Sequence, residues 1–181
     1  MQSIQLSAEQ RNHIRDQIDA YRTFLKSDEA KQILYDEKKR MERYVTLLSK
    51  NNVSSISEAE LGEVLSSLWA MAFWTNKDWA VNNTTQKNDI HMIRKELGNL
   101  LYGDEPLSSR YDRFRSYVYG IGPSAITEIL AFIHPTKYGM WNDKVRKAAP
   151  LLGLDKLLPN KYSINGKEYE KYNEVFSLIK D

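Results

Sequence analysis

The chain has 181 residues, 41% hydrophobic and 28% charged, which is enough for one domain with a proper core. It contains no Cys, which excludes disulfides and thiolate metal sites and suits a reducing, cytoplasmic setting. No stretch approaches the roughly 18 apolar residues that span a bilayer, and the first residues do not read as a signal peptide. With a net charge of +2, any nucleic-acid face must come from local clustering of cations.

In chain order, the first half reads as helices. Ser7 with Gln10 is a capping box, after which Ile14, Ile18, Tyr21 and Leu25 recur at helical spacing. Ser27-Asp28 marks a break and a new cap. Leu34, Met41, Tyr44, Val45 and Leu48 then line one face of a second helix, which Asn51-Asn52 ends. Ser57 with Glu60 forms another capping box. It opens an apolar helix through Leu61, Val64, Leu65, Leu68, Trp69, Ala72 and Phe73, expected to be the central core helix.

The polar stretch Thr75–Asn88 reads as a loop or short helical turn pinned by Trp79. A helix from Ile90 to Tyr102 is stopped by Gly103, and Pro106 opens the next, which runs to about Tyr119. On that helix Tyr111, Phe114 and Val118 can pack, while Arg110, Arg113 and Arg115 are expected to face solvent. A short helix through Leu130 and Ile133 follows, ending near Pro135. Asn142 can cap a further helix that ends before Gly153. The Asn165-Gly166 pair suggests a small β-hairpin, and a final helix takes up Tyr169 to Lys180. The expectation is an all-α fold, with residues 1–56 an N-terminal helical pair and 57–181 a helical domain that packs with it as one unit.

The turn Tyr119-Gly120-Ile121-Gly122-Pro123-Ser124 carries the functional argument. Two glycines around one apolar residue permit a tight helix-to-helix hairpin with positive-φ positions and an unobstructed surface. Pro123 suits a first helical position, and the amides that follow point outward, where the helix dipole favours an anion. A nucleic-acid phosphate is a natural ligand for such a site, although Gly-x-Gly-Pro also serves as a plain turn. No strand precedes the turn and no Gly-Lys-Ser/Thr ends it, so it is neither a dinucleotide fingerprint nor a Walker loop.

The run Gly120-Ile-Gly-Pro-Ser-Ala-Ile-Thr-Glu-Ile-Leu resembles the helix-hairpin-helix of base-excision DNA glycosylases, in the element Tyr119–Leu130. In that family the hairpin holds the DNA backbone while a base is flipped, and a catalytic Asp follows at a fixed interval. That interval ends here on Asn142, and the position of the bifunctional members' catalytic Lys holds Ser124. An amide cannot replace a carboxylate as base or charge stabiliser, so the resemblance implies the scaffold without the chemistry unless Asp143 substitutes. A wider set of motifs between Leu68 and Leu154 resembles the N-terminal domain of McrB-like AAA+ GTPases of modification-dependent restriction. They include Asn76-Lys-Asp, Leu100-Leu-Tyr-Gly-Asp-Glu-Pro, Arg110-Tyr-Asp-Arg-Phe-Arg, His134-Pro-Thr-Lys-Tyr and Met140-Trp-Asn. This resemblance implies a DNA-recognition module serving a GTPase motor and a nuclease.

Gly120, Ile121, Gly122 and Ser124 are therefore expected to carry the backbone contact, with Arg113, Arg115, Lys144 and Lys147 supplying phosphate charge. Asn142, Trp141 and Trp79 are the residues expected near a base. Trp69 and Trp74 are expected in the core, whereas Trp79 and Trp141 lie beside polar loops and suit either stacking or packing. His13, His91 and His134 are too scattered for a metal site, and no cofactor is expected. Two alternatives stand beside this reading: a DNA glycosylase using Asp143, and a helical protein-interaction domain with a purely structural turn.

Overall fold

Local capping sets the order of elements in the computed structural model, which describes residues 4–72 and 76–180. Reciprocal capping boxes open α1 (Ala8–Phe24) at Ser7 and Gln10, and α3 (Glu58–Ser67) at Ser57 and Glu60. Ser27 caps α2 (Asp28–Leu47), Asn76 caps α4 (Lys77–Lys87) and Asp89 caps α5 (Ile90–Tyr102). Then come α6 (Leu107–Tyr117), α7 (Pro123–Ile133), α8 (Asp143–Leu151) and α9 (Gly166–Lys180). Each side-chain cap contributes about 1 kcal/mol by satisfying an amide that has no partner within its helix. The fold is all-α, and no strand occurs among the described residues.

The centre of the molecule is α7. Pro123 through Leu130 and Phe132 are all buried, so this helix is enclosed on every side. Ile126, Ile129 and Leu130 each contribute about 1.5–3 kcal/mol of burial. One face of α7 meets α2, where the Phe132 ring lies edge-on to Tyr44 with centroids 5.2 Å apart. Helix α6 packs against both α5 and α9. Buried residues from Leu6 and Ile14 to Tyr172 and Val175 join one hydrophobic cluster.

The apolar segment after Ser57 is not the continuous central helix that its periodicity suggests. Helix α3 stops at Ser67, Leu68 takes an extended backbone, and a 3-10 turn covers Trp69–Met71. The cause lies 58 residues away, in α7. The buried carboxylate of Glu128 accepts hydrogen bonds from the amides of Trp69 at 2.6 Å and Ala70 at 2.9 Å. Those amides therefore have a partner other than the preceding turn of α3. Trp69 leaves the core and is 43% exposed, with the Arg40 guanidinium 4.8 Å above its ring. Phe73 and Trp74 lie outside the described residues.

Two further expectations are corrected. Most of Thr75–Asn88 is helix α4, because the Asn76 side-chain Oδ1 accepts from the Trp79 amide at 2.8 Å, and Val81 packs against Gly62 of α3. The Asn165-Gly166 pair opens α9 instead of a β-hairpin. Asn165 Oδ1 accepts from the Glu168 amide, and the Glu168 carboxylate accepts from the Asn165 amide, making a third capping box. A side chain at Gly166 would collide with the backbone of Ser108, so this glycine permits α9 to approach α6 closely.

Glu128 thus ties α7 to the end of α3. Replacing it with Ala strands two amides and should cost about 1–3 kcal/mol in a denaturant melt. Burial also pushes its carboxyl above the usual range, although both amides pull the other way. A carboxyl raised in the folded state holds its proton more tightly there than in the unfolded chain. Its contribution is therefore greatest below the ordinary carboxylate pKa and declines as pH rises through the folded value. The non-titrating Glu128→Gln variant should consequently fall further behind the wild type in thermal melts as pH drops from neutral. A gap that narrows instead would contradict this assignment.

Candidate nucleic-acid interface

Between α6 and α7 the chain reverses through Val118–Gly122. Val118 and Ile121 are buried and anchor the turn in the core. Only Gly120 has positive φ, at +91°. A Cβ added there would sit 2.5 Å from Thr84 Oγ1 of α4, so both conformation and close approach require glycine. Gly122 differs from the expectation of paired positive-φ glycines: its φ of −85° suits any residue. A Cβ on Gly122 meets nothing within 4 Å, so here glycine leaves an open surface.

Helix α4 holds the turn in shape. Asn88 donates from Nδ2 to the Tyr119 carbonyl at 2.9 Å and accepts from the Tyr119 amide at 2.8 Å. Its Nδ2 also donates to the carbonyl of Thr84. The side chain of Tyr119 is left 57% exposed, with Lys87 Nζ 4.6 Å from the ring centroid. Two residues earlier, Tyr117 is exposed beneath the Arg113 guanidinium, 5.6 Å from its centroid. Lys87, Asn88, Tyr117 and Tyr119 were not among the expected site residues. Reading Thr75–Asn88 as a loop or short helical turn hid the adjacency of Lys87 and Asn88 to the turn, since only tertiary packing brings α4 there.

The N-terminus of α7 lacks a side-chain cap. Among the described helices, α1–α5 and α8 have Ser, Asn or Asp caps, and Asn165 serves α9. At α6, the Glu170 carboxylate accepts from the Ser108 amide at 2.7 Å. Gly122 and Pro123 supply no such oxygen at α7. Ser124 is nearly buried, its Oγ 3.2 Å from the Tyr162 hydroxyl. One turn further along, Thr127 Oγ1 accepts from the Trp141 amide at 2.9 Å, which places the lead-in to α8 against α7.

The remaining expected residues divide sharply. Trp141 is fully buried and donates from Nε1 to the Tyr162 carbonyl, so its ring offers no face to a base. Trp79 is 56% exposed on α4. Asn142 caps α8, accepting from the Val145 amide at 3.0 Å. Asp143 pairs with Lys147 at 2.6 Å and with Arg146 at 2.5 Å, and these contacts, Lys147 first, hold its carboxyl below the usual range. Lys147 is thus engaged, whereas Lys144 is exposed.

The α6 arginines do not form an unengaged basic strip. Arg110 is buried, contrary to its expected exposure, and donates to the carbonyls of Leu100 and Glu105 and to the Tyr138 hydroxyl. Arg113 grips the buried Glu96 carboxylate through two hydrogen bonds of 2.7 and 3.0 Å. This contact holds the Glu96 carboxyl below its usual range. Arg115 donates to the Ile164 carbonyl and to Ser163 Oγ. The exposed features nearest the turn in sequence and hydrogen bonding are Gly122, Tyr119 and Lys87.

Compared with known protein families, characterised proteins and solved structures, the chain matches none of them.

The two glycines of the turn should respond differently to substitution. Gly120→Ala forces a strained φ and a clash with Thr84, and should cost about 1–3 kcal/mol. Gly122→Ala meets neither obstacle and should stay within about 0.5 kcal/mol of the wild type. Paired urea melts measure both. Equal destabilisation by the two would contradict the geometry described above.

Proposed function

We propose that this protein is a cytoplasmic DNA-binding module that holds the backbone of a DNA duplex at the α6–α7 turn. The observation that carries the reading is the N-terminus of α7, which has no side-chain cap and has open space beside Gly122. Unlike the uncapped α6 with its Glu170 carboxylate, it receives no side-chain oxygen on a first-turn amide among the described residues. Amides at the positive end of a helix dipole suit a phosphate oxygen, and the open space at Gly122 lets the strand come close. Lys87 and Lys144 add exposed charge, while Tyr119 and Trp79 add exposed rings for stacking. Arg113, Arg115 and Lys147 have protein partners, so their part is to shape this surface or to contribute at its edge.

The resemblance to the helix-hairpin-helix and to the McrB-like domain supports a reader of modified DNA in a restriction or phage-defence system. Its partners would be a GTPase motor and a nuclease. Catalysis of its own is not part of the proposal. Asn142 offers a neutral amide where glycosylases need a carboxylate, and Asp143 has its charge offset by Arg146 and Lys147. A protein-interaction role gains support from a different surface, where Tyr21, Phe24, Ile33, Leu34 and Tyr35 of α1 and α2 are exposed.

Duplex affinity should fall steeply with salt, and Lys87→Gln and Lys144→Gln should each lower the magnitude of the salt slope by about one. Gly122→Val should weaken binding while keeping the wild-type melting temperature. Fluorescence anisotropy with duplexes that differ only in cytosine modification measures all three variants and the preference for modified DNA. Absence of binding at low salt, or a folded Gly122→Val variant with full affinity, would overturn the proposal. No alkali-labile site should appear in bound DNA. If one forms and is lost in Asp143→Asn, the protein is a glycosylase.

A further inference from the structure

A second basic feature lies away from the α6–α7 turn. The first two turns of α5 and the loop before α3 border a shallow, open cleft of about 210 Å³ lined by Ser54, His91, Arg94 and Lys95. No carboxylate lines it, and none of these three basic residues forms an ion pair among the described residues. That sets them apart from Arg43, Arg113, Arg146 and Lys147, each of which has a carboxylate partner.

The geometry also favours convergence. Arg94 Nε donates to the Ile56 carbonyl at 2.8 Å, which fixes the guanidinium over the loop. Its terminal nitrogens form no hydrogen bond among the described residues. His91 and Lys95 are four residues apart on α5, hence on one face of the helix. Ser54, in the loop before α3, adds a hydroxyl to the lining. The acids nearest in sequence are engaged elsewhere: Asp89 caps α5, accepting from the His91 amide at 2.6 Å, and the buried Glu96 is held by Arg113.

We propose that this cleft binds a phosphate group. A tethered guanidinium, an ammonium, an imidazole N–H and a hydroxyl are complementary to a tetrahedral oxyanion, and an arginine fork can take two of its oxygens. The ligand is either a backbone phosphate of a nucleic acid or a free phosphate. The inference stands whether or not the α6–α7 turn holds DNA.

Inorganic phosphate titrated against chloride at constant low ionic strength tests it, with the backbone amide resonances of His91–Lys95 as reporters. The expected result is a saturable shift confined to these residues and Ser54. Lys95→Gln, an exposed substitution, should raise the half-saturating concentration roughly two- to fivefold, the range for a screened surface charge. Gly122→Val should leave the response unchanged, which separates this site from the turn. A non-saturating drift, or identical curves for wild type and a folded Lys95→Gln, would overturn the proposal. The same variant identifies the source. If it also lowers the magnitude of the duplex-DNA salt slope by about one, the cleft takes a backbone phosphate. If DNA affinity is unchanged while phosphate binding weakens, the ligand is a free phosphate.

Discussion

Helix α7 is predominantly apolar and buried along almost its whole length, and enclosing it is the requirement that it imposes on the rest of the molecule. Enclosing it brings α2 to one face and the 3-10 turn after α3 to another, while α6 leads directly into its N-terminus. Burial also carries one charge-bearing side chain, Glu128, into the interior. An isolated buried carboxylate is costly, and the arrangement satisfies it with two backbone amides. The path of the chain after Ser67 follows from that need. The apolar helix and the interruption of α3 are two consequences of one constraint.

The same constraint shapes the proposed interface. Because α7 is buried from Pro123 onward, the exposed residue at its N-terminal end is Gly122, and the chain must reverse tightly to enter the helix. The reversal depends on Gly120, on Ile121 as a core anchor, and on the side-chain amide of Asn88, which pairs with both backbone groups of Tyr119. An amide that donates and accepts at one residue acts like a strand pairing of unit length. It satisfies two backbone groups that the end of α6 leaves open. Tyr119 is thereby held at the surface on a fixed backbone, and less ordering entropy remains to be lost when a ligand meets it.

Charge is distributed differently from a simple basic strip. The α6 arginines that appear solvent-facing by sequence bind carbonyls, hydroxyls and the buried Glu96, tying α6 to α5 and to the segment before α9. A guanidinium can satisfy several carbonyl oxygens at once, so it often serves to close gaps between helices. Basic residues without an ion pair among the described residues include Lys87 on α4, Arg94 and Lys95 on α5 and Lys144 on α8. A near-neutral net charge is compatible with the two basic regions proposed above, at the turn and at the α5 cleft.

Much was legible in the sequence wherever the determinant is local. The capping boxes at Ser7 and Ser57, the cap at Ser27, the stop at Gly103, the Asn142 cap and the Gly-Ile-Gly turn each depend on residues within a few positions of one another. The all-α class follows from helical periodicity along most of the chain. What the tertiary structure decided depends on partners distant in sequence. Glu128 ends α3 from 58 residues away, and Ser108 explains Gly166, where an Asn-Gly pair by itself suggests a β-turn. Helix α4 is polar on nearly every side, so its periodicity carries no signal, and contacts with α3 and the turn account for it. The burial of Trp141 and the engagement of the α6 arginines have the same origin. Residue type shows which interactions a side chain can make, but the choice between a protein partner and solvent is settled only when the chain closes around α7.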